Sequence, residues 1–137
     1  MSVSRYKLLF NFIKTVLPSG YKVTFGTQEE NKEHTIGVFF QGGTPKNRVI
    51  TDGSYLEHTV TATFNVNASK DYKSVLSCIE DLETFIRAFN EVHNKEYLEE
   101  ESRVTILYTE LFGDLNMLGF NGVGIPCFSI NYIIHYY

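Results

Sequence analysis

His58-Thr-Val-Thr-Ala-Thr-Phe-Asn-Val66 alternates apolar and polar side chains without a break. A period of two predicts a strand with one buried face and one face turned to solvent or a partner. After a short polar connection the period lengthens to three and four residues, which predicts a helix with one apolar stripe, formed by Tyr72, Val75, Leu76, Ile79, Leu82, Phe85, Ile86 and Phe89. Strand and helix are expected to bury each other, and the expected contacts are Phe64 and Val66 against Ile79, Leu82 and Ile86. Ser69 is the predicted N-cap, with Asp71 in the first turn.

The remaining elements can be placed around this unit. Tyr6–Leu17 has helical spacing behind a capping Ser4, and its wide apolar face is buried on two sides or meets another subunit. Alternation predicts four further strands, over 21–25, 36–40, 104–109 and 128–136. The order α-β-β-β-α-β-β indicates a single α+β domain over 1–137, with a mostly antiparallel sheet and two helices packed on one face.

Four connections separate these elements. Gly26–His34 is predicted to be an exposed connection, and Glu91–Ser102 a solvated helix end and linker. Gln41–Ser54 is long and contains Asp52-Gly53, a hairpin turn signal. Val49–Thr51 therefore either extends the sheet as a projecting ribbon or belongs to an open loop. Phe112–Pro126 is predicted to be a second long loop because it contains four glycines.

Composition excludes some classes of function. The chain has 137 residues and a net charge of −4, which argues against a general nucleic-acid binder. Cys78 and Cys127 are expected to be reduced, buried thiols in a cytoplasmic protein. No stretch approaches the roughly 18 apolar residues that a membrane span needs, so no membrane contact is expected.

The search for catalytic constellations gives weak signals. An acidic patch with a terminal histidine is interpreted as a solvated loop rather than a metal site; it consists of Glu29, Glu30, Glu33 and His34. His58 and His135 both lie in predicted strands and could face each other across the sheet. We therefore expect no enzyme, no metal and no cofactor.

Other features favour assembly. Thr59, Thr61 and Thr63 form a strand face that is only mildly polar, as expected where a sheet meets a neighbour. Two long loops and an unusually apolar first helix add candidate contact surfaces. Together these features predict an interaction module.

The chain resembles the small tail-terminator proteins of long-tailed bacteriophages, also called tail-completion or minor capsid proteins. The resemblance covers nearly the whole chain and rests on Leu17-Pro-Ser-Gly20, on Ile36-Gly-Val-Phe-Phe40 before Gly42-Gly43, on Val60-Thr-Ala-Thr-Phe-Asn-Val66 entering a helix through Ala68-Ser-Lys-Asp71, and on Gly124-Ile-Pro-Cys-Phe-Ser-Ile-Asn-Tyr132. It implies a virion ring, usually of six subunits, that caps the tail tube, stops its polymerisation and offers its other face to the head connector. DNA would cross the ring without specific binding, and assembly would take place in the host cytoplasm.

The resemblance also gives the two loops functions. The expected contacts with a neighbouring subunit or the tube are Gly42, Gly43, Lys46, Arg48, Asp52, Thr59, Thr61 and Thr63. The loop expected on an axial or lumen-facing side carries Asp114, Asn116 and Asn121. Three alternatives stay open: a head-completion or stopper protein of the neck, a dimeric α+β ligand-binding domain, and a small hydrolase that uses His58 or His135.

Overall fold

The computed structural model describes residues 4–50 and 53–137. These residues form two helices and eight strands, with the bounds α1 Arg5–Val16, β1 Lys22–Phe25, β2 Thr35–Gly42, β3 Lys46–Ile50, β4 Gly53–Asn67, α2 Tyr72–Asn90, β5 His93–Glu99, β6 Ser102–Leu111, β7 Asn116–Phe120 and β8 Pro126–Tyr136. The predicted α+β class is confirmed. The predicted element order is right only in part, because β3, β5 and β7 occupy stretches expected to be irregular or, for β3, left open.

The strands form one mixed sheet in the order β1-β2-β4-β8-β6-β5, with β3 added to β4 and β7 added to β8. β1 and β2 run parallel, while the other described pairs are antiparallel. The predicted interior position of the strand over 104–109 is confirmed, since β6 lies between β8 and β5.

One long hairpin runs through the middle of the sheet. β2 pairs with β4 as far as Gly42 opposite Val60, and β3 resumes the pairing with Lys46 opposite Glu57. The first arm has one more residue than β4 between these pairs, which makes a bulge at the joint. For the stretch that contains Val49 the sequence left two alternatives, a projecting ribbon or an open loop, and the structure contains the ribbon. Thr51 of the predicted ribbon and Asp52 of the predicted turn lie outside the described residues.

The core lies between the two helices and one sheet face. Four apolar side chains of β4 are fully buried there: Val60, Ala62, Phe64 and Val66. Phe64 contacts α2 through Phe85, with ring centroids 5.3 Å apart, and also packs near Tyr132 of β8 at 6.4 Å. The predicted burial of this strand against the second helix is therefore confirmed, with Phe85 as the principal aromatic partner.

The apolar stripe of α2 is narrower than predicted. Its fully buried members are Cys78, Leu82, Phe85 and Phe89, whereas Ile79 and Ile86 are half-buried. Tyr72 and Leu76 are exposed, because a helix turns about 100° per residue and places them roughly 110° and 150° from the centre of that stripe. The helix also begins later than predicted, with Asp71 rather than Ser69 as N-cap.

The first helix agrees with its prediction. The hydroxyl of Ser4 accepts a hydrogen bond from the backbone N–H of Tyr6 at 3.2 Å, which caps the helix. Leu8, Leu9 and Ile13 are fully buried, so the wide apolar face of α1 is covered by the chain's own core. Of the two alternatives for this helix, burial accounts for these residues without a second subunit.

Candidate assembly surface

A two-stranded ribbon continues the central hairpin past the end of its neighbour. We use the term ribbon for Lys46–Ile50 together with Gly53–Glu57. The pairing of β8 with β4 ends at Tyr136 opposite His58, so the ribbon extends beyond the last β8 pair. On the ribbon Val49 is 85% exposed and Leu56 is also exposed. Within the predicted contact loop 41–54, Val49 thus presents an apolar side chain to solvent, and Leu56 does so just after it.

The predicted contact glycines lie at the joint between sheet and ribbon. The N–H of Gly43 donates to the carbonyl of Thr59 at 2.9 Å. A Cβ at Gly43 would lie 2.0 Å from the Thr59 hydroxyl oxygen, and one at Gly42 would lie 3.0 Å from the Tyr6 hydroxyl. Both glycines therefore permit close packing within the chain, a role that the sequence pattern did not reveal.

A charged cluster fixes the base of the ribbon. The guanidinium of Arg48 on β3 lies 3.2 Å from the carboxylate of Glu57, which is 6% exposed. His135 of β8 lies beside the same carboxylate at 3.9 Å and contacts the carboxylate of Glu110 at 2.6 Å. The ring of Tyr108 stacks on His135 at 4.0 Å, and burial, followed by the nearby carboxylates, raises the pKa of Tyr108. This cluster joins β3, β4, β6 and β8, and its carboxylates were not among the predicted site residues.

The threonine face lies opposite the helices. Thr59, Thr61 and Thr63 are half-buried, and the Thr63 hydroxyl donates to the side-chain oxygen of Asn131 at 2.8 Å. Part of this sheet face is covered by the connection between β1 and β2, which packs so closely that a Cβ at Gly37 would lie 2.8 Å from the Thr27 carbonyl. The face is thus partly paired within the chain rather than fully open.

The connection 26–34 is exposed over most of its length, which confirms the prediction, and side-chain amides hold its backbone against the sheet. The amide of Asn67 donates to the carbonyls of Glu29 and Lys32 at 3.1 Å each. The amide of Asn121 donates to the carbonyl of Glu30 at 2.6 Å. These amides satisfy backbone groups that a sequence pattern cannot assign, because their donors are remote in the chain.

The predicted axial loop contains a strand. Asn116 begins β7 and pairs with Ser129 of β8, while Asp114 precedes the strand and is exposed. Asn121 closes the following turn by accepting hydrogen bonds from two backbone N–H groups at 3.0 Å. Around β7 lies a set of exposed large apolar side chains that we call the β7 patch: Phe112, Met117, Leu118, Phe120 and Val123.

The two strand histidines do not face each other. His58 stacks on Tyr136 at 5.4 Å, whereas His135 lies opposite Thr59 on the other sheet face. Burial raises the pKa of the Cys78 and Cys127 thiols and favours their neutral form.

Within residues 4–50 and 53–137, no three His, Cys, Asp or Glu side chains are grouped so that they could hold a metal ion. None of the helices described above has the length and apolar character needed to cross a membrane. Neither a comparison with protein-family models nor a comparison with characterised proteins gives a match to this chain.

Proposed function

We propose that this chain is a structural virion protein that forms a ring at the head-proximal end of a bacteriophage tail tube. The observation that carries the proposal is the presence of two unlike exposed surfaces at opposite ends of the central strands. The ribbon lies beyond His58, whereas β7 pairs with the other end of β8, near Asn67 of β4. Subunits with two unlike contact surfaces associate head to tail, and such contacts close into rings when the rotation permits.

The proposed ring ends tube polymerisation and supplies the docking face for the head connector. The resemblance of the sequence to tail-terminator proteins supports this role and implies six subunits. The net charge of −4 suits a channel for DNA, because an acidic wall gains nothing from counterion release and does not hold the duplex. The neutral thiols and separated histidines support a structural rather than a catalytic protein.

The proposal is tested by mixing the purified chain with tail tubes assembled from the tube protein of the same phage. Electron microscopy should show a ring at one end of each tube, and growth of the capped end should stop on addition of more tube protein. The mass of the assembly, measured in solution, gives the number of subunits.

Two outcomes would contradict the proposal. A stable dimer that forms no ring at any concentration, with or without tubes, would favour the dimeric ligand-binding alternative. A ring that binds isolated head connectors but never tube ends would favour the neck stopper.

A further inference from the structure

The four described edge strands differ in their protection against pairing. Exposed edges present unpaired backbone groups, and natural proteins guard them with charged side chains. β1 contains Lys22, β3 contains Lys46 and Arg48, and β5 contains Lys95 and Glu96. The strand β7, Asn-Met-Leu-Gly-Phe, contains no charged residue.

The uncharged strand also exposes large apolar side chains. Leu118 is 59% exposed and Phe120 is 70% exposed, and Met117 is exposed beside them. The pairing of β7 with β8 has a bulge between Met117 and Gly119, and Met117 and Leu118 on either side of its start are both exposed at this edge. Among the described strands β7 pairs with β8 alone, which leaves its second edge available. A free edge of this kind is typical of a strand that receives another strand.

We propose that β3 of a second copy of this chain pairs with β7, which joins the ribbon of one subunit to the sheet of the next. The proposal rests on the ring-forming function proposed above and names the contact that makes the ring. Both strands have five residues. The ribbon supplies the apolar partner, since Val49 is the most exposed large apolar side chain among the described residues.

Charge favours the same occupant. Asp114 lies two residues before β7, and Glu30 lies beside its far end, where its carbonyl accepts from Asn121. Each end of the uncharged strand thus has an acidic residue nearby. The added strand β3 brings Lys46, which is exposed and has no carboxylate within ion-pair distance among the described residues. When β3 pairs with β7, Lys46 lies near Asp114 in one strand direction and near Glu30 in the other, so an acidic residue is close in both cases.

Geometry requires two molecules for the contact. The ribbon and β7 are separated by roughly 35 Å along β4, at about 3.3 Å per residue. The strands therefore cannot meet within one subunit. Because the two surfaces are unlike, the contact is not two-fold symmetric, and an open assembly keeps one free surface of each kind, at its two ends, until the ring closes.

The first test compares Leu118→Lys with Leu98→Lys. Leu98 is 61% exposed on the charged edge strand β5 and serves as the matched control. Circular dichroism checks that both variants fold. Leu118→Lys should raise the concentration for half-assembly about tenfold or more, equivalent to about 1.4 kcal/mol, while Leu98→Lys should assemble as the wild type does. Equal behaviour of the two variants would overturn the inference.

The second test is oxidative cross-linking in a mixture of Val49→Cys chains and Leu118→Cys chains, alone and on tube ends. A disulfide-linked pair should form in this mixture, and a mixture of Val49→Cys with Leu98→Cys chains should give none.

The third test is charge reversal. Lys46→Glu should weaken assembly, and a second substitution, Asp114→Lys or Glu30→Lys, should restore it. The substitution that restores assembly shows whether β3 and β7 run parallel or antiparallel.

The outcomes separate the two proposals. The β3–β7 contact would be overturned if Leu118→Lys still forms rings, if the cross-link does not form and if no second substitution rescues Lys46→Glu. The proposed function would be left standing by these results. A wild-type chain that forms no ring alone or on tubes would overturn both.

Discussion

Gly43 and Thr59 are in contact where the central hairpin bends from the sheet into the ribbon. A Cβ at Gly43 would lie 2.0 Å from the Thr59 hydroxyl oxygen and 3.2 Å from its Cβ. The Thr59 side chain or the bulge must therefore move to admit a methyl group. We expect Gly43→Ala to lower the free energy of unfolding by about 1–3 kcal/mol, as overpacking substitutions do, measured by urea denaturation.

The cause of this loss can be isolated with a double-mutant cycle. Thr59→Ala removes the hydroxyl that would clash, so the cost of Gly43→Ala should fall by about 0.5 kcal/mol or more in that background. Gly122→Ala is the matched control, since a Cβ there meets no atom within 4 Å, and its effect should stay within about 0.5 kcal/mol. Additive losses at Gly43 and Thr59, or a neutral Gly43→Ala, would contradict the packing argument.

At the residue scale, the sequence identified residues that make close contacts but did not identify their partners. It singled out Gly43 and Thr59, but as surfaces for a partner rather than as partners of each other. The carboxylates of Glu57 and Glu110 were not predicted, because only strand register brings them to His135. Register depends on the pairing of remote strands, and a local pattern of residues carries no information about it.

At the scale of elements, the ribbon can be removed without touching the core. None of the buried apolar side chains lies between Lys46 and Leu56 among the described residues. Replacing 46–56 with an Asn-Gly turn should therefore preserve the circular dichroism spectrum and cooperative unfolding, while abolishing ring formation on tail tubes. The Gly43–Thr59 contact is retained in this variant, which distinguishes loss of the ribbon from damage to the joint.

The control for this deletion replaces 99–102 with an Asn-Gly turn, which shortens the β5–β6 hairpin by one residue pair at a tip that takes no part in the proposed contact. It should fold and cap tubes as the wild type does. Tubes that are capped normally by the chain without its ribbon would contradict the role assigned to that element.

Elements with one buried face were predicted well, whereas the edge strands β5 and β7 were not predicted. α1, β4, α2, β6 and β8 each have a periodic apolar pattern, because each packs one face on the core. β5 has charges and exposed side chains along most of its length and therefore resembled a linker. β7 was hidden by Gly119, whose φ of +93° accommodates a bulge in the pairing with β8. Charged side chains along an edge strand, as in β5, remove the periodicity by which strands are recognised.

At the scale of the whole molecule, the core holds several phenol groups in their neutral form. Tyr132 is fully buried among Phe64, Phe85 and Phe89, and its hydroxyl donates to the side-chain oxygen of Asn90 at 2.6 Å. Burial raises the pKa of Tyr132 above its ordinary value. Burial likewise raises the pKa of Tyr136, and that of Tyr21 with a further contribution from Cys78. These groups couple the stability of the fold to alkaline pH.

The direction of the coupling follows from proton binding. Above about pH 10 the unfolded chain loses its phenol protons, whereas the folded chain keeps those of the buried tyrosines. The folded state then binds more protons, so stability is fully present below about pH 10 and falls as the pH rises further. Each phenol that stays protonated in the fold should lower the free energy of unfolding by about 1.4 kcal/mol per pH unit.

Urea denaturation across this pH range, followed with tyrosinate absorbance, measures both quantities. Tyr132→Phe provides the decisive comparison, because it removes one buried phenol while keeping the aromatic ring in the core. At neutral pH it should cost about 1 kcal/mol through the lost hydrogen bond to Asn90. Above about pH 10 its stability should fall less steeply than that of the wild type. An unchanged slope, or titration of all nine tyrosines near pH 10 in the folded protein, would show that the aromatic core admits water and does not hold these protons.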